Sequence, residues 1–582
     1  MDRQTGDEQQ GERHGMYVGS NRQKESQQAA LALLLGPETE EHVRARATQR
    51  LVRRGPPALP LVLVTLNNYP EITTPAWPWW PPQYKYSSHL LLQLAQKAQL
   101  SLPTLLTHPA VTLPVGPVLW ISVIEASNLL PEERYEVLLQ QALLAPWETV
   151  RYAAAMALAT HPYKKPLSEP TLALLRQCLQ QQEPVPVWLT IAYALLTNGE
   201  TAPGMEALLH AISPSMPEEV RKAAAFILAT ELPCALMPDQ QQRLTSSLLQ
   251  LLQGKNLEIA YLTGHAISKI ATPALLPALY KLLTQSSAQR QIIILNTFEE
   301  IAQQPHLRPE MQRQGLLTHF LPYLQDTSSE VRRQASYTLA AYGGEYVLAA
   351  LGSILLQKDH PGRLEVIEGL RHLHNIHKAP TRMTVVRWLL QLLHHSSNEV
   401  KIAALDSLID ILLQMRVRAY KRAWDDLCRE IAHDTIIPQL LTLPNAWVRQ
   451  NTVDLISMLG PHRAALSALH QPLLEMLHSD KDSGVRASVA YTCGQLKMHQ
   501  ALPELLHTLL DEDEHVAMTA LNALSHIITR EDSITHYVLQ ELCYLADSPH
   551  PAFSALGKEA QHCSKKFQDK KNLDGERLHG FD

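Results

Sequence analysis

The chain has little cysteine, phenylalanine and glycine, and it carries no strong excess of charge of either sign. Its 582 residues include 6 cysteines, 6 phenylalanines and 23 glycines, and the formal net charge is -6. The cysteines are scattered without a C-x-x-C pair, so we expect reduced thiols rather than a disulfide framework. The mild acidic balance disfavours a nucleic-acid partner, which would call for a basic surface.

Long hydrophobic runs are also absent. The best candidate runs from Val111 to Ile124, but Pro114 and Pro117 interrupt it and it is too short to cross a bilayer. The first residues contain no apolar segment of the kind found in signal peptides. We therefore expect no membrane insertion and a cytoplasmic location.

The sequence lacks the short motifs of nucleotide binding and of common hydrolases. No G-x-x-x-x-G-K-[ST], G-x-G-x-x-G or G-x-S-x-G segment occurs. Histidine is common, but His372 and His374 would lie about 200° apart on a helix and would not share a face. We expect no catalytic residue, no cofactor and no metal ion, and we predict that the protein is not an enzyme.

The residues that are abundant favour helices with a large apolar core. Hydrophobic residues make up 45% of the chain and charged residues 19%, which is enough for a sizeable core. A short marker recurs along the chain: a polar turn, then valine and arginine, then alanine three residues later. The clearest copies begin at Val150, Val220 and Val331, with further forms at Val43, Val400, Val448, Val485 and Val516.

One copy shows how a repeat should fold. Ser328 or Ser329 can cap a helix, and the Gly343-Gly344 pair can end it. A second apolar helix follows before the next turn. The residues spaced three and four apart on the first of these helices are Val331, Ala335, Leu339 and Tyr342. Two such short helices cannot bury their apolar faces alone, so neighbouring pairs must stack.

Weaker copies fill the gaps between the clear ones, at Val187, Ile259, Ile292, Leu364 and Phe553. The mean step is roughly 37 residues, the range of two-helix repeats, and the body has room for roughly 13 to 15 of them. The step from Val400 to Val448 is longer and implies an insertion. The pattern predicts an all-α stack of helical hairpins.

The stretch from Leu473 onward, LLEMLHSDKDSGVRASVAYTCGQL followed by ALPELLHTLLDEDEHVA, resembles HEAT repeats, including the HEAT-like repeats of phycobilisome lyases. The resemblance implies an ARM-type fold, a right-handed α-α superhelical solenoid. It also implies a stacked ladder between an aspartate in the turn and an arginine six residues later. Asp480 with Arg486, and Asp326 with Arg332, match both members of that pair.

Other repeats match the ladder pattern only in part. Arg151, Arg221 and Arg449 lack the acid six residues earlier, and Asp511 is followed by Ala517 instead of an arginine. The expectation is a ladder that is broken at several repeats.

The repeats divide the chain into three parts. Residues 1–28 are polar and almost free of aliphatic side chains, so they are predicted to be disordered. Residues 29–557 form the repeat body. Residues 558–582 are predicted to be a charged, flexible tail.

A proline-rich segment at 69–86 interrupts the repeat. Its prolines forbid a regular helix, and it carries Trp77, Trp79 and Trp80. The tryptophans either pack against neighbouring repeats or present an aromatic anchor to a partner.

A basic element near 414–432 accounts for the long step. Its cationic residues are Arg416, Arg418, Lys421 and Arg422. They either form a solvated face of an extended helix pair or contact an acidic partner.

The sequence favours a non-catalytic scaffold or regulatory adaptor that binds protein partners along a curved helical surface. Two alternatives stay open: a bilin lyase-like protein that handles a chromophore, and a nucleic-acid-binding HEAT solenoid. Deoxyhypusine hydroxylase has a similar architecture and binds iron through His-Glu dipeptides, and this sequence contains none. The partner and the oligomeric state do not follow from the sequence.

Overall fold

Helices and turns make up the part of the chain that the computed structural model describes. The described residues are 25–37, 39–70, 82–130, 135–160, 166–232, 236–357, 359–373, 378–417, 421–459 and 466–527. The chain forms two compact units, Met1–Ala271 and Thr272–Asp582. Each unit is described by itself.

The N-terminal unit contains helices α1 to α14. They are α1 (25–35), α2 (Glu41–Arg54), α3 (Leu59–Asn68), α4 (Pro82–Ala98), α5 (Leu102–Leu106), α6 (Pro117–Asn128), α7 (Glu136–Leu143), α8 (Glu148–Thr160), α9 (Glu169–Gln180), α10 (Val185–Thr197), α11 (Thr201–Ala211), α12 (Glu218–Glu231), α13 (Pro238–Leu252) and α14 (Leu257–Ile270), with a 3-10 turn at Pro56–Ala58.

The C-terminal unit contains helices α15 to α30. They are α15 (Leu276–Thr284), α16 (Ala288–Ala302), α17 (Arg308–Arg313), α18 (Leu316–Phe320), α19 (Ser329–Tyr342), α20 (Glu345–Leu356), α21 (Arg363–Leu370), α22 (Ala379–Leu392), α23 (Asn398–Val417), α24 (Lys421–Ala432), α25 (Ile436–Leu440), α26 (Ala446–Met458), α27 (His470–Ser479), α28 (Ser483–Gln495), α29 (Leu502–Thr508) and α30 (Glu514–Ile527). Three 3-10 turns lie at Leu321–Gln325, Ser467–Leu469 and His499–Ala501.

The helices pair into hairpins, each with a first helix and a second helix that begins at or near the repeat marker. The second helices of the N-terminal unit are α2, α4, α6, α8, α10, α12 and α14, and those of the C-terminal unit are α16, α19, α21, α23, α26, α28 and α30. Within each unit every second helix packs on the second helix of the next hairpin. Seven hairpins in each unit make fourteen in the described residues, which confirms the predicted all-α stack.

Helix α19 shows that the local signals work as predicted. The Ser328 side chain accepts the N–H of Val331 at the helix start, and Gly343 ends the helix with a φ of 67°. A positive φ is strained for residues with a Cβ, so glycine suits this end. The predicted apolar face is at most 1% exposed at each of its positions: Val331, Ala335, Leu339 and Tyr342.

One weak marker is assigned to the wrong residue by the sequence pattern. In the repeat of α21, Arg363 donates to the carbonyl of Gln357, six residues earlier, as Arg332 donates to Asp326. The marker position is therefore Gly362 and not Leu364. The pattern misses it because the valine is replaced by glycine there.

The long step between Val400 and Val448 contains an extended repeat. Helix α23 has 20 residues and is followed by α24 before the next hairpin begins. Cys428 on α24 is buried and unpaired, as are Cys178 and Cys493 elsewhere. Within the described residues, no helix is both long enough and apolar enough to cross a membrane.

The domain limits can be compared with the structure only in part. The first described helix begins at residue 25, so residues 25–28 of the predicted polar segment are helical. Residues 1–24, 71–81 and 528–582 lie outside the described part of the chain.

Candidate protein-binding surfaces

Arginines at the marker connect consecutive repeats through the turns. Arg449 at the start of α26 donates to the carbonyls of Leu443 and Pro444 in its own turn. Its Nε and Nη2 atoms also donate to the two carboxylate oxygens of Asp480, at 2.7 and 2.6 Å. Asp480 belongs to the next repeat, so the bidentate pair links neighbours.

The same connection occurs at two other steps. Arg486 donates to both carboxylate oxygens of Asp511, at 2.7 and 2.8 Å, and Arg151 donates to Glu183 at 3.0 Å. The expectation that the ladder is broken at Arg151, Arg449 and Asp511 is therefore wrong. The pattern paired residues within one repeat, whereas the carboxylate comes from the following repeat.

The two pairs predicted within one repeat are joined through the backbone. Arg486 Nη1 lies 3.0 Å from the carbonyl oxygen of Asp480, and Arg332 Nη1 lies 2.9 Å from that of Asp326. The Asp326 carboxylate accepts a backbone N–H within its turn. Arg332 instead pairs with Glu365 of α21, at 2.7 Å.

These arginines have little surface left for a ligand. The side chains of Arg449 and Asp480 are 13% and 5% exposed, and those of Arg486 and Asp511 are 10% and 11% exposed. Hydrogen bonds from Arg486 lower the pKa of Asp511. The pKa of Asp480 is also lowered: burial opposes this shift, but the hydrogen bonds from Arg449 and from the Asp482 backbone, together with the charges of Arg449 and Arg486, outweigh it. We interpret the arginines as connections between repeats.

A row of aromatic side chains follows the second helices of the N-terminal unit. Four consecutive second helices, α8 to α14, carry an aromatic residue two or six positions after the marker, which is the same side of a helix, and the preceding second helix α6 carries Trp120. We call Trp120, Tyr152, Tyr193, Phe226 and Tyr261 the aromatic row. Four members are half-buried, and Tyr261 is 48% exposed. Such side chains combine a fixed position with accessible apolar surface.

Two acidic residues lie beside the aromatic row. Burial raises the pKa of Glu125 on α6 to about 7, and the same carboxyl adds to the burial that raises the pKa of Tyr152. Burial and the carboxylate of Glu231, which accepts a hydrogen bond from Tyr193, raise the pKa of Tyr193 to about 12. The row is therefore apolar with acidic groups at its edge.

Three consecutive second helices of the C-terminal unit carry acidic residues on the corresponding side. Glu368, Asp406 and Asp454 occupy the position six residues after the marker on α21, α23 and α26. We call these three residues the acidic row. Asp410 on α23 lies near it and is paired with Arg371.

Hydrogen bonds from neighbouring second helices fix the acidic row. The donors are Arg333 to Glu368, Asn451 to Asp406 and Ser488 to Asp454. Burial raises the pKa of Asp454. Burial and the charge of Asp410 raise that of Asp406. Two of the three carboxylates are thus held by neutral donors, and the row presents negative charge.

Sequence reasoning missed both rows. No member is part of the marker, and the residue type at this register changes from one repeat to the next. Aligning the repeats on their markers would have shown an aromatic or acidic residue at the second or sixth position in most of them.

The partner-binding residues predicted from the sequence are not tested by the structure. Trp77, Trp79, Trp80 and Arg418 lie outside the described residues. Arg416 lies in α23, and Lys421 and Arg422 lie in α24, but their side chains are outside the described set. Within the residues that are described, no three histidine, cysteine or carboxylate side chains are arranged to hold a metal ion.

A family model covers most of the repeat body. The model of the adaptin N terminal region matches residues 174–569, more than half of the 582 residues. The chain belongs to the adaptin N-terminal region family. A search of curated proteins finds no match.

Solved structures of similar fold include karyopherins. Yeast importin-beta (Kap95p) is 13% identical, with a TM-score of 0.53, over 95% of this chain and 75% of that chain. Kap95p from the study of RanGDP is 13% identical, with a TM-score of 0.55, over 92% of this chain and 72% of the other. Kap121p bound to Ste12p is 13% identical, with a TM-score of 0.51; the match covers 93% of this chain and 56% of Kap121p.

These matches establish the fold as that of a HEAT-repeat protein. Identities this low say nothing of shared partners. The narrower resemblance to phycobilisome lyases, and with it the bilin lyase alternative, finds no support in them.

Proposed function

We propose that this adaptin-family chain is a non-catalytic, cytoplasmic scaffold or adaptor that binds protein partners along the exposed sides of its second helices. The observation that carries the proposal is the aromatic row, which has a member on each of five consecutive second helices. Half-buried aromatic side chains in fixed positions are the type that dominates protein interfaces. A partner segment crossing these helices would meet one of them at each repeat.

Two further observations support a protein partner. Karyopherin structures of similar fold include a complex of Kap95 with Nup1 and one of Kap121p with Ste12p. In the C-terminal unit the acidic row would repel the phosphates of a nucleic acid and attract a basic segment of a protein. The nucleic-acid alternative is therefore the weaker one.

The experiment compares two exposed tyrosines. Tyr261 belongs to the aromatic row and is 48% exposed, whereas Tyr346 lies on the first helix α20 and is 56% exposed. A photo-cross-linking amino acid is placed at one or the other position, and the protein is irradiated in native extract. We expect specific protein adducts at position 261 and few at position 346.

Variants then test whether the row carries affinity. Tyr261→Ala should weaken binding of the captured partner about tenfold, the loss typical of an aromatic interface residue, while Tyr346→Ala should leave it unchanged. Equal capture at both positions, or equal affinity of both variants, would refute the aromatic row as the binding surface.

A further inference from the structure

The turn before α23 carries a histidine where other turns carry an aspartate. His395 precedes Lys401 by six residues, as Asp480 precedes Arg486. His395 Nδ1 lies 3.0 Å from the backbone nitrogen of Ser397. Asp480 Oδ1 makes the equivalent contact at 3.0 Å. The imidazole thus takes the place of a carboxylate within the turn.

An arginine of the preceding repeat also contacts His395, as other marker arginines contact the carboxylate of the following repeat. Arg363 at the start of α21 places its Nη1 atom 2.8 Å from His395 Nε2. Arg449 reaches Asp480 from the preceding repeat in the same way. Both ring nitrogens of His395 therefore face N–H donors.

An imidazole cannot satisfy both donors. A carboxylate accepts hydrogen bonds at both oxygens, whereas a neutral imidazole has one accepting nitrogen and a protonated imidazole has none. Only one of the two contacts can therefore be a hydrogen bond at neutral pH. After protonation both nitrogens carry hydrogens directed at other donors, and one of those donors is a cation.

The net effect of the surroundings is to disfavour the protonated form of His395. Burial, Arg363 on α21 and Lys401 on α23 lower its pKa, while Asp359 in the turn before α21 opposes them. His360 lies in that same turn and is 7% exposed, and its Nδ1 lies 3.1 Å from the backbone nitrogen of Gly362. Burial, Arg363 and Arg332 lower its pKa, against a smaller opposing effect of Glu365.

We propose that the contact between Arg363 and His395 is an acid-sensitive joint between two consecutive repeats of the C-terminal unit. At neutral pH the joint holds α21 and α23 together through the tautomer in which His395 Nε2 accepts the N–H of Arg363, and it loosens when His395 takes up a proton. Because the folded pKa is lower than that of a free histidine, about 6.5, the stabilisation is complete above that pH. It is lost as the pH falls through and below it.

The joint connects two helices that carry members of the acidic row, Glu368 and Asp406. Acidification would therefore loosen this part of the surface. That consequence rests on the proposed function, whereas the joint itself does not, and the test uses the free protein.

The test is hydrogen–deuterium exchange of the full chain at about pH 7.5 and about pH 5.5, corrected for the intrinsic pH dependence of exchange. The informative peptides contain the turn before α23 and the first turn of α21. Because the lower pH is about one unit below the pKa of a free histidine, protonation of His395 can weaken the joint there by at most about tenfold. In the wild type we expect corrected exchange to rise at the lower pH by up to about tenfold.

Three variants distinguish the effect of protonating His395 from the effects of protonating other histidines. His395→Asp supplies two acceptors throughout this pH range, so exchange should change little between the two pH values. His394→Asp adds the same charge at the neighbouring exposed position and should keep the wild-type response. His395→Asn cannot titrate either, so it serves as the non-titrating variant if His395→Asp does not fold. A wild type without a pH response, or a response unchanged in the folded His395 variants, would overturn the proposal.

Discussion

At the scale of single residues, the acidic side chains differ in what faces them. Asp480 and Asp511 face arginines of the preceding repeat, and those arginines hold the pKa of each below its usual value. Glu125 and Asp454 are half-buried at the exposed sides of second helices without such a partner, and this burial raises the pKa of each. The paired carboxylates of Asp480 and Asp511 are better suited to stabilising the fold. Those of Glu125 and Asp454 are better suited to contact with a partner.

Glu125 gives a prediction with a definite sign. Its pKa rises from 4.5 in the unfolded chain to about 7 in the folded protein because burial disfavours the charge. Folding is therefore favoured most below about pH 4.5, and this contribution falls as the pH rises to about 7. Glu125→Gln removes the charge and should raise the stability by roughly 1–3 kcal/mol above pH 7, with little effect near pH 4.5.

The check is thermal unfolding of the wild type and Glu125→Gln across this pH range. Glu148→Gln on the neighbouring helix α8, at an exposed position, is the control and should not change the pH profile. A gain from Glu125→Gln that is the same at both ends of the range would contradict the assigned pKa.

At the scale of elements, the sequence predicts the limits of a helix correctly where the cap, the marker valine and the terminal glycine are all present. Helix α19 has a serine cap, a valine at the marker and a glycine end, and its limits follow from those residues. Helix α21 has 8 residues and no side-chain cap. Its register is set by Arg363, which contacts its own turn and the next repeat.

The close approach of α19 and α21 depends on Gly369. A Cβ at this position would lie 2.0 Å from Ser336 Oγ and 3.3 Å from the Ser336 carbonyl carbon. Gly369→Ala should therefore push the two helices apart and cost about 1–3 kcal/mol of unfolding free energy, as overpacking does. Chemical denaturation measures this loss.

A second substitution tests whether the clash is the cause. Ser336→Gly removes the side chain that the new methyl group would meet. The double variant should recover part of the stability that Gly369→Ala loses, relative to Ser336→Gly alone. Additive losses in the two variants would mean that the helices do not meet at this point.

At the scale of the whole molecule, contacts between neighbouring repeats build two compact units. In such arrays stability is a sum of repeat and nearest-neighbour contributions, so parts of the chain can unfold separately.

We expect calorimetric unfolding of the full chain to depart from two-state behaviour. The calorimetric enthalpy should exceed the van't Hoff enthalpy. Glu125 belongs to the N-terminal unit and Gly369 to the C-terminal unit, so their variants should shift different parts of the transition. A single transition with equal enthalpies, shifted as a whole by either variant, would contradict this.

The sequence by itself determined the all-α repeat, the positions of most second helices and the apolar side of each, because these depend on residues within one turn or one repeat. Tertiary structure decided which carboxylate each arginine meets. Arg449 and Asp480 are 31 residues apart and meet only because consecutive repeats stack. The aromatic and acidic rows have the same origin. Their members become neighbours only when helices from different repeats lie side by side, and a pattern within one repeat contains no record of that.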